Sequence, residues 1–149
     1  MEKLNRNFHL KLQEMCECYL DTDYLPELKR AVTSEVDDLE ENSIKYLALA
    51  ILEALTQKAM KLTVKKKEKV KVTVSSFDEK ITLPAPTSEM ADKIFEITRA
   101  ITHIEDAKGE SQLAFGLRNG QMDLTVKLKK KGAAESLKLI FPELEPHKS

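Results

Sequence analysis

Apolar residues near the start of the chain fall at Leu4, Phe8, Leu12, Met15, Cys16, Tyr19 and Leu20. Steps of three and four gather them on one side of a helix, so residues 3–20 are predicted to form an amphipathic helix. Asp21, Asp23 and Pro26 then favour a break and a short helix beginning near Pro26. Ser34 with Asp37 resembles a capping box, and Asp37, Asp38, Glu40 and Glu41 suit the positive end of a further helix. That helix is expected to run to Leu62 through Ile44, Leu47, Ile51, Leu55 and Ala59. Its middle, YLALAILEAL, is apolar nearly all round, which marks the central core helix.

The period then changes from 3.6 to 2. Leu62 and Val64, then Val70, Val72 and Val74, then Ile81 and Leu83 alternate with Lys, Thr and Ser. This predicts a three-stranded meander closed by the prolines of LPAP. Thr87 or Ser88 caps a helix expected over 88–107, with Met90, Ile94, Ile97, Ile101 and Ile104 along one face. A second meander follows. Asn119-Gly120 favours a two-residue type I′ turn, and placing it at the tip pairs Leu117 with Met122, Phe115 with Leu124 and Leu113 with Val126. KKGAAE turns the chain again, and Leu137, Leu139 and Phe141 continue the same apolar face.

The expected fold class is therefore α+β: N-terminal helices plus two three-stranded antiparallel meanders separated by a helix, in the order helix-βββ-helix-βββ. The helices should cover one apolar sheet face. Residues 1–149 read as a single domain. It comprises an N-terminal helical segment at 1–34, a helix with the first meander at 35–86, a helix with the second meander at 87–142, and a tail at 143–149. KITLP at 80–84 and KLIFP at 138–142 close the two halves alike. That fits either an internal duplication or a chance likeness between two amphipathic units.

A content of 42% hydrophobic and 33% charged residues suits a folded chain rather than a disordered one. No apolar run approaches the ~20 residues of a membrane span, and MEKLNRNFHL lacks the apolar core of a signal peptide. With two cysteines too close together to staple a fold, the chain is expected to be cytoplasmic, with no membrane partner. The net charge of −1 is unevenly spread. Segments 1–60 and 87–111 carry −5 and −3, while 61–86 and 112–149 carry +4 and +3.

Cys16 and Cys18 are the two thiols. Successive helical residues turn by about 100°, so the two point about 200° apart and cannot share a metal or a relaxed disulfide. No second cysteine pair and no His-x₃₋₅-His accompanies them, so no metal and no cofactor is expected. His103 shares a helical strip with Glu96, Arg99 and Asp106. Arg99 would repel a cation there, and the strip reads as solvated ion pairs. No nucleophile elbow, phosphate loop or dinucleotide-binding glycine motif occurs, so no catalytic residue and no enzymatic activity is expected. Gly109, Gly120 and Gly132 are assigned to turns. Gly116 lies inside a strand, facing away from Leu113, Phe115 and Leu117, and marks a bulge or a close backbone approach.

Two features remain. Ala91, Phe95, Thr98 and Thr102 form a second face on helix 88–107, apart from the isoleucine stripe. Either the N-terminal helix or a second copy of the chain must cover it. Lysines also crowd both meanders, and Lys71, Lys127, Lys129 and Lys138 are the candidate anion-binding residues, with Lys127 opposite Lys138. Edge protection and solubility are the favoured account of such lysines, because no aromatics interleave them, arginine is scarce and the pI is about 6.3. The leading expectation is a small non-catalytic protein acting through protein–protein contact, as a homodimer or with another protein. Binding of nucleic acid or another anion by the lysine-rich face is the alternative.

Overall fold

The computed structural model describes residues 2–33, 38–117 and 120–142. Its helices are α1 (Glu2–Tyr19), α2 (Tyr24–Thr33), α3 (Leu39–Thr56) and α4 (Ser88–Thr102). The strands are β1 (Lys61–Lys66), β2 (Val70–Ser75), β3 (Lys80–Leu83), β4 (Lys108–Leu117), β5 (Gly120–Lys131) and β6 (Ala134–Ile140). The element order follows the hydrophobic pattern; the boundaries and the sheet differ from it in instructive ways.

Asp38 caps α3 by accepting a hydrogen bond from the Glu41 N–H at 3.0 Å. The expected Ser34/Asp37 cap lies outside the described residues. From Asn42 to Ala54 every residue of α3 except Lys45 is buried. The helix packs on α1, α2, α4 and β1, as an all-round apolar helix must. It stops at Thr56 rather than at Leu62. Lys58 takes a left-handed φ of 55°, and the Met60 N–H already donates to Ser75 O, so the sheet has claimed the chain by then.

α4 begins as expected, with the Thr87 hydroxyl accepting from the Met90 N–H at 3.1 Å. It ends at Thr102, five residues short of the expected boundary, on His103 at φ 62°. The Arg99 guanidinium donates to the carbonyls of Ile104 (3.3 Å), Asp106 (2.7 Å) and Ala107 (3.4 Å). Those bonds satisfy backbone acceptors in an irregular segment, so the chain leaves the helix without stranding polar groups.

The two meanders are not separate. β1 pairs with β6, giving one six-stranded antiparallel sheet in the order β3-β2-β1-β6-β5-β4. Leu62 and Val64 stand opposite Leu139 and Leu137, so the junction extends one apolar face across both halves. That face and the helices enclose a continuous core. The strand order of the halves repeats, yet β1 and β4 run in opposite directions with the helices on the same side. No rotation superimposes halves related in that way, so chance likeness is the better account of KITLP and KLIFP.

The β4–β5 register is two residues away from the expected one. Leu117 pairs with Gly120, Phe115 with Met122, Leu113 with Leu124 and Ser111 with Val126. A slip of two leaves every side chain on its own face, so alternation cannot distinguish the registers. Gly109 and Gly120 lie in β4 and β5 rather than in turns, and what demands glycine at 109 is a close approach, since a Cβ there would come within 2.6 Å of Ile104 Cγ2. Gly116 is a close approach: its N–H donates to Gln13 Oε1 at 3.2 Å, while His9 Nε2 bonds the Ala114 carbonyl at 3.0 Å. α1 thereby covers one end of the β4 edge.

Candidate functional site

Directly paired residues in a sheet project from the same face. The face away from the helices can therefore be read row by row from the register. One row runs Lys71, Lys65, Ser136, Lys129, Lys108 across β2, β1, β6, β5 and β4. The next runs Thr73, Thr63, Lys138, Lys127, Glu110. Lys61, Lys80 and Lys131 lie on the same face. This face thus holds nine lysines against two carboxylates, Glu110 and Asp123, among the described residues.

Three lysine pairs stand directly opposed: Lys65 with Lys71, Lys108 with Lys129, and Lys127 with Lys138. Like charges in that position repel, and among the described residues the one carboxylate within ion-pair distance of these six lysines is Glu110, 4.0 Å from Lys127 Nζ. Both members of that ion pair are about half exposed, so solvent screens it. The four lysines singled out from sequence come together here in two adjacent rows. Lys65, Lys108 and Ser136 join them; the place of Lys65 depends on the β1–β6 junction and that of Lys108 on the β4–β5 register, neither of which is legible in the sequence.

That junction also bears on why the lysines are present. Charge on an edge strand discourages strand addition, and β3 and β4 are the edges. Lys61, Lys65 and Lys138 sit on β1 and β6, the two central strands, where no edge needs protection. A groove of about 590 Å³ crosses the face between Lys108, Glu110, Lys127, Lys129, Ser136 and Lys138. A second hollow of about 280 Å³ lies where the β1–β2 and β5–β6 turns meet.

The remaining candidates are structural. Cys16 is buried and Cys18 is exposed, as their helical spacing predicts. The Cys16 thiol donates to Ala48 O at 3.8 Å, and burial, with a smaller contribution from Glu17, pushes its pKa up to about 12. Among the described residues no group of three or more His, Cys, Asp or Glu is placed to hold a metal ion. The expected ion-pair strip on α4 does not form as drawn. Arg99 turns to Glu135 on β6 at 3.3 Å, and Glu96 pairs with Lys93 instead.

Ala91, Phe95 and Thr98 are buried within the chain, and Thr102 is partly buried. α4 lies between the sheet (β1, β4, β5 and β6) on one side and α1 and α3 on the other, so both of its apolar faces are occupied internally. No helix among the described residues is long and apolar enough to cross a membrane.

No protein-family model and no curated protein matches the chain. Among solved structures, the ATPase DotB of Legionella pneumophila aligns with a TM-score of 0.49 and 10% identity. The alignment takes in 64% of this chain and 28% of DotB, so the chain spans little more than a quarter of that protein's length.

Proposed function

We propose that this chain is a non-catalytic binding protein that holds nucleic-acid phosphates on its open sheet face. The observation that carries the reading is the placement of lysines in directly opposed pairs across the face, with Lys61, Lys65 and Lys138 on its two central strands. Each opposed pair lowers stability by roughly 0.2–1 kcal/mol, and a phosphate between the two ammonium groups reverses that sign. Lysine binds phosphate as a point charge and reads no base edge. The described positions of this face offer no aromatic side chain for stacking, so binding is expected to ignore sequence.

The acidic helical segments support the same orientation. With a net charge of −1 overall, the lysine-rich face stands against acidic helical segments, so among the described residues a polyanion is drawn to that face. A homodimer seated on Ala91, Phe95, Thr98 and Thr102 is not part of this proposal, because the chain's own packing occupies that face.

The test is duplex binding measured over a salt series. With four lysines in contact, log K should fall with log salt at a slope of roughly −3.6. Replacing Lys127 and Lys138 together by Gln should shallow the slope by roughly 1.8, whatever the duplex sequence. Absence of binding at about 50 mM salt, or binding that the double substitution leaves unchanged, would overturn the reading.

A further inference from the structure

The β1–β6 pairing brings together two lysine runs that are far apart in sequence. Lys65 stands opposite Ser136 and Lys66 opposite Glu135, while Lys129 and Lys131 arrive on the other side of β6. The hollow between the two turns is lined by Lys65, Lys66, Lys67, Lys129, Lys131 and Ser136, together with Ala134 and Glu135. Two of its charges are already engaged. Glu135 is paired with Arg99 at 3.3 Å, and Lys66 with Asp92 at 2.6 Å. Lys65, Lys67, Lys129 and Lys131 form no ion pair among the described residues.

Lys65 and Lys129 flank Ser136 at two strand spacings, so their backbones stand roughly 10 Å apart and their stems can converge above the hydroxyl. Lys67 and Lys131 close the outer end. The hollow, at about 280 Å³, is half the size of the groove beside it. Four unpaired ammonium groups around so small a space match a ligand with several negative charges on adjacent atoms rather than charges strung along a polymer.

We infer that this hollow is a site for a compact polyphosphate, two or more linked phosphates carried by a small molecule or by the end of a nucleic-acid chain. The four lysines take up its charge, and the Ser136 hydroxyl donates to a phosphate oxygen. The inference rests on the lysine-face reading above and adds the ligand class and a place for it.

Calorimetry with inorganic tripolyphosphate and with orthophosphate tests the site. Tripolyphosphate should bind one per chain, at least about tenfold more tightly than orthophosphate, since more charge contacts form. Lys67→Gln with Lys131→Gln should weaken tripolyphosphate by about tenfold or more, while a 5′-hydroxyl oligonucleotide changes by less than about threefold. Ser136→Asp, which places a carboxylate among the lysines, should abolish tripolyphosphate binding and raise the melting temperature. The raised melting temperature separates this loss from misfolding.

A 5′-triphosphorylated oligonucleotide that binds more tightly than both its 5′-hydroxyl form and free tripolyphosphate assigns the ligand to a chain end. Equal affinity for tripolyphosphate alone assigns it to a small molecule, and either result supports the site. Tripolyphosphate that binds no better than orthophosphate, or that ignores Lys67→Gln/Lys131→Gln, would overturn it. Tripolyphosphate binding without oligonucleotide binding would sink the backbone reading and leave this one standing.

Discussion

At the scale of single residues, Glu110 is the carboxylate that reaches into the lysine rows, 4.0 Å from Lys127 Nζ. It competes with any bound anion, so Glu110→Gln should tighten polyanion binding by about twofold to fivefold, the range of an exposed ion pair. Weaker or unchanged binding in a direct titration would remove Glu110 from the site. Phe95 tests the opposite expectation, that an apolar side chain was reserved for a partner. It is 2% exposed, so Phe95→Ala should destabilise the fold by about 3–5 kcal/mol and leave the sedimentation mass unchanged. A change of mass at unchanged stability would restore the interface reading.

Cys16 gives a residue-scale dependence on pH. Burial holds it protonated to about pH 12, whereas the unfolded thiol ionises near its ordinary value of 9.0. The folded pKa is the higher one, so the unfolded state binds fewer protons between these values. This contribution is fully present below pH 9.0 and is lost as pH rises towards 12. Denaturant midpoints should fall through that window, and less steeply in Cys16→Ala, although Tyr46, likewise raised by burial, sustains part of the fall. Equal slopes in the two proteins would contradict this assignment.

At the scale of elements, the contacts that fasten one element to another link residues far apart in sequence. The Gln13 side chain of α1 accepts from Gly116 of β4, and Arg99 of α4 reaches Glu135 of β6. Glycine at 116 was legible as a close approach, but nothing local names Gln13 as the partner. Gln13→Ala should lower stability by about 1 kcal/mol and accelerate exchange of the Gly116 amide specifically. Uniform acceleration across β4 would instead indicate global destabilisation. The end of α4 has a nearer cause: Ile104 continues the apolar stripe, but Arg99 binds the carbonyls of Ile104, Asp106 and Ala107, and the chain leaves the helix before them.

At the scale of the whole molecule, the order of elements, the two faces of each strand and the alternation of acidic and basic segments were determined by the sequence alone. Those properties follow from periods of 3.6 and 2 and from formal charge, all of which are local. Tertiary structure decided which strands neighbour one another. Only the pairing of Leu62 and Val64 with Leu139 and Leu137 makes β1 and β6 central, and that pairing sets Lys65 beside Ser136 and Lys129. It decided the β4–β5 register too, because shifts of two residues keep every apolar side chain facing the core. Phe95 shows the same division: its apolar character is written in the chain, whereas its covering required α1, α3 and the sheet to close around α4. Alternation fixes which way a side chain points, but the neighbour it meets there depends on burying the shared apolar face, which is a property of the assembled molecule.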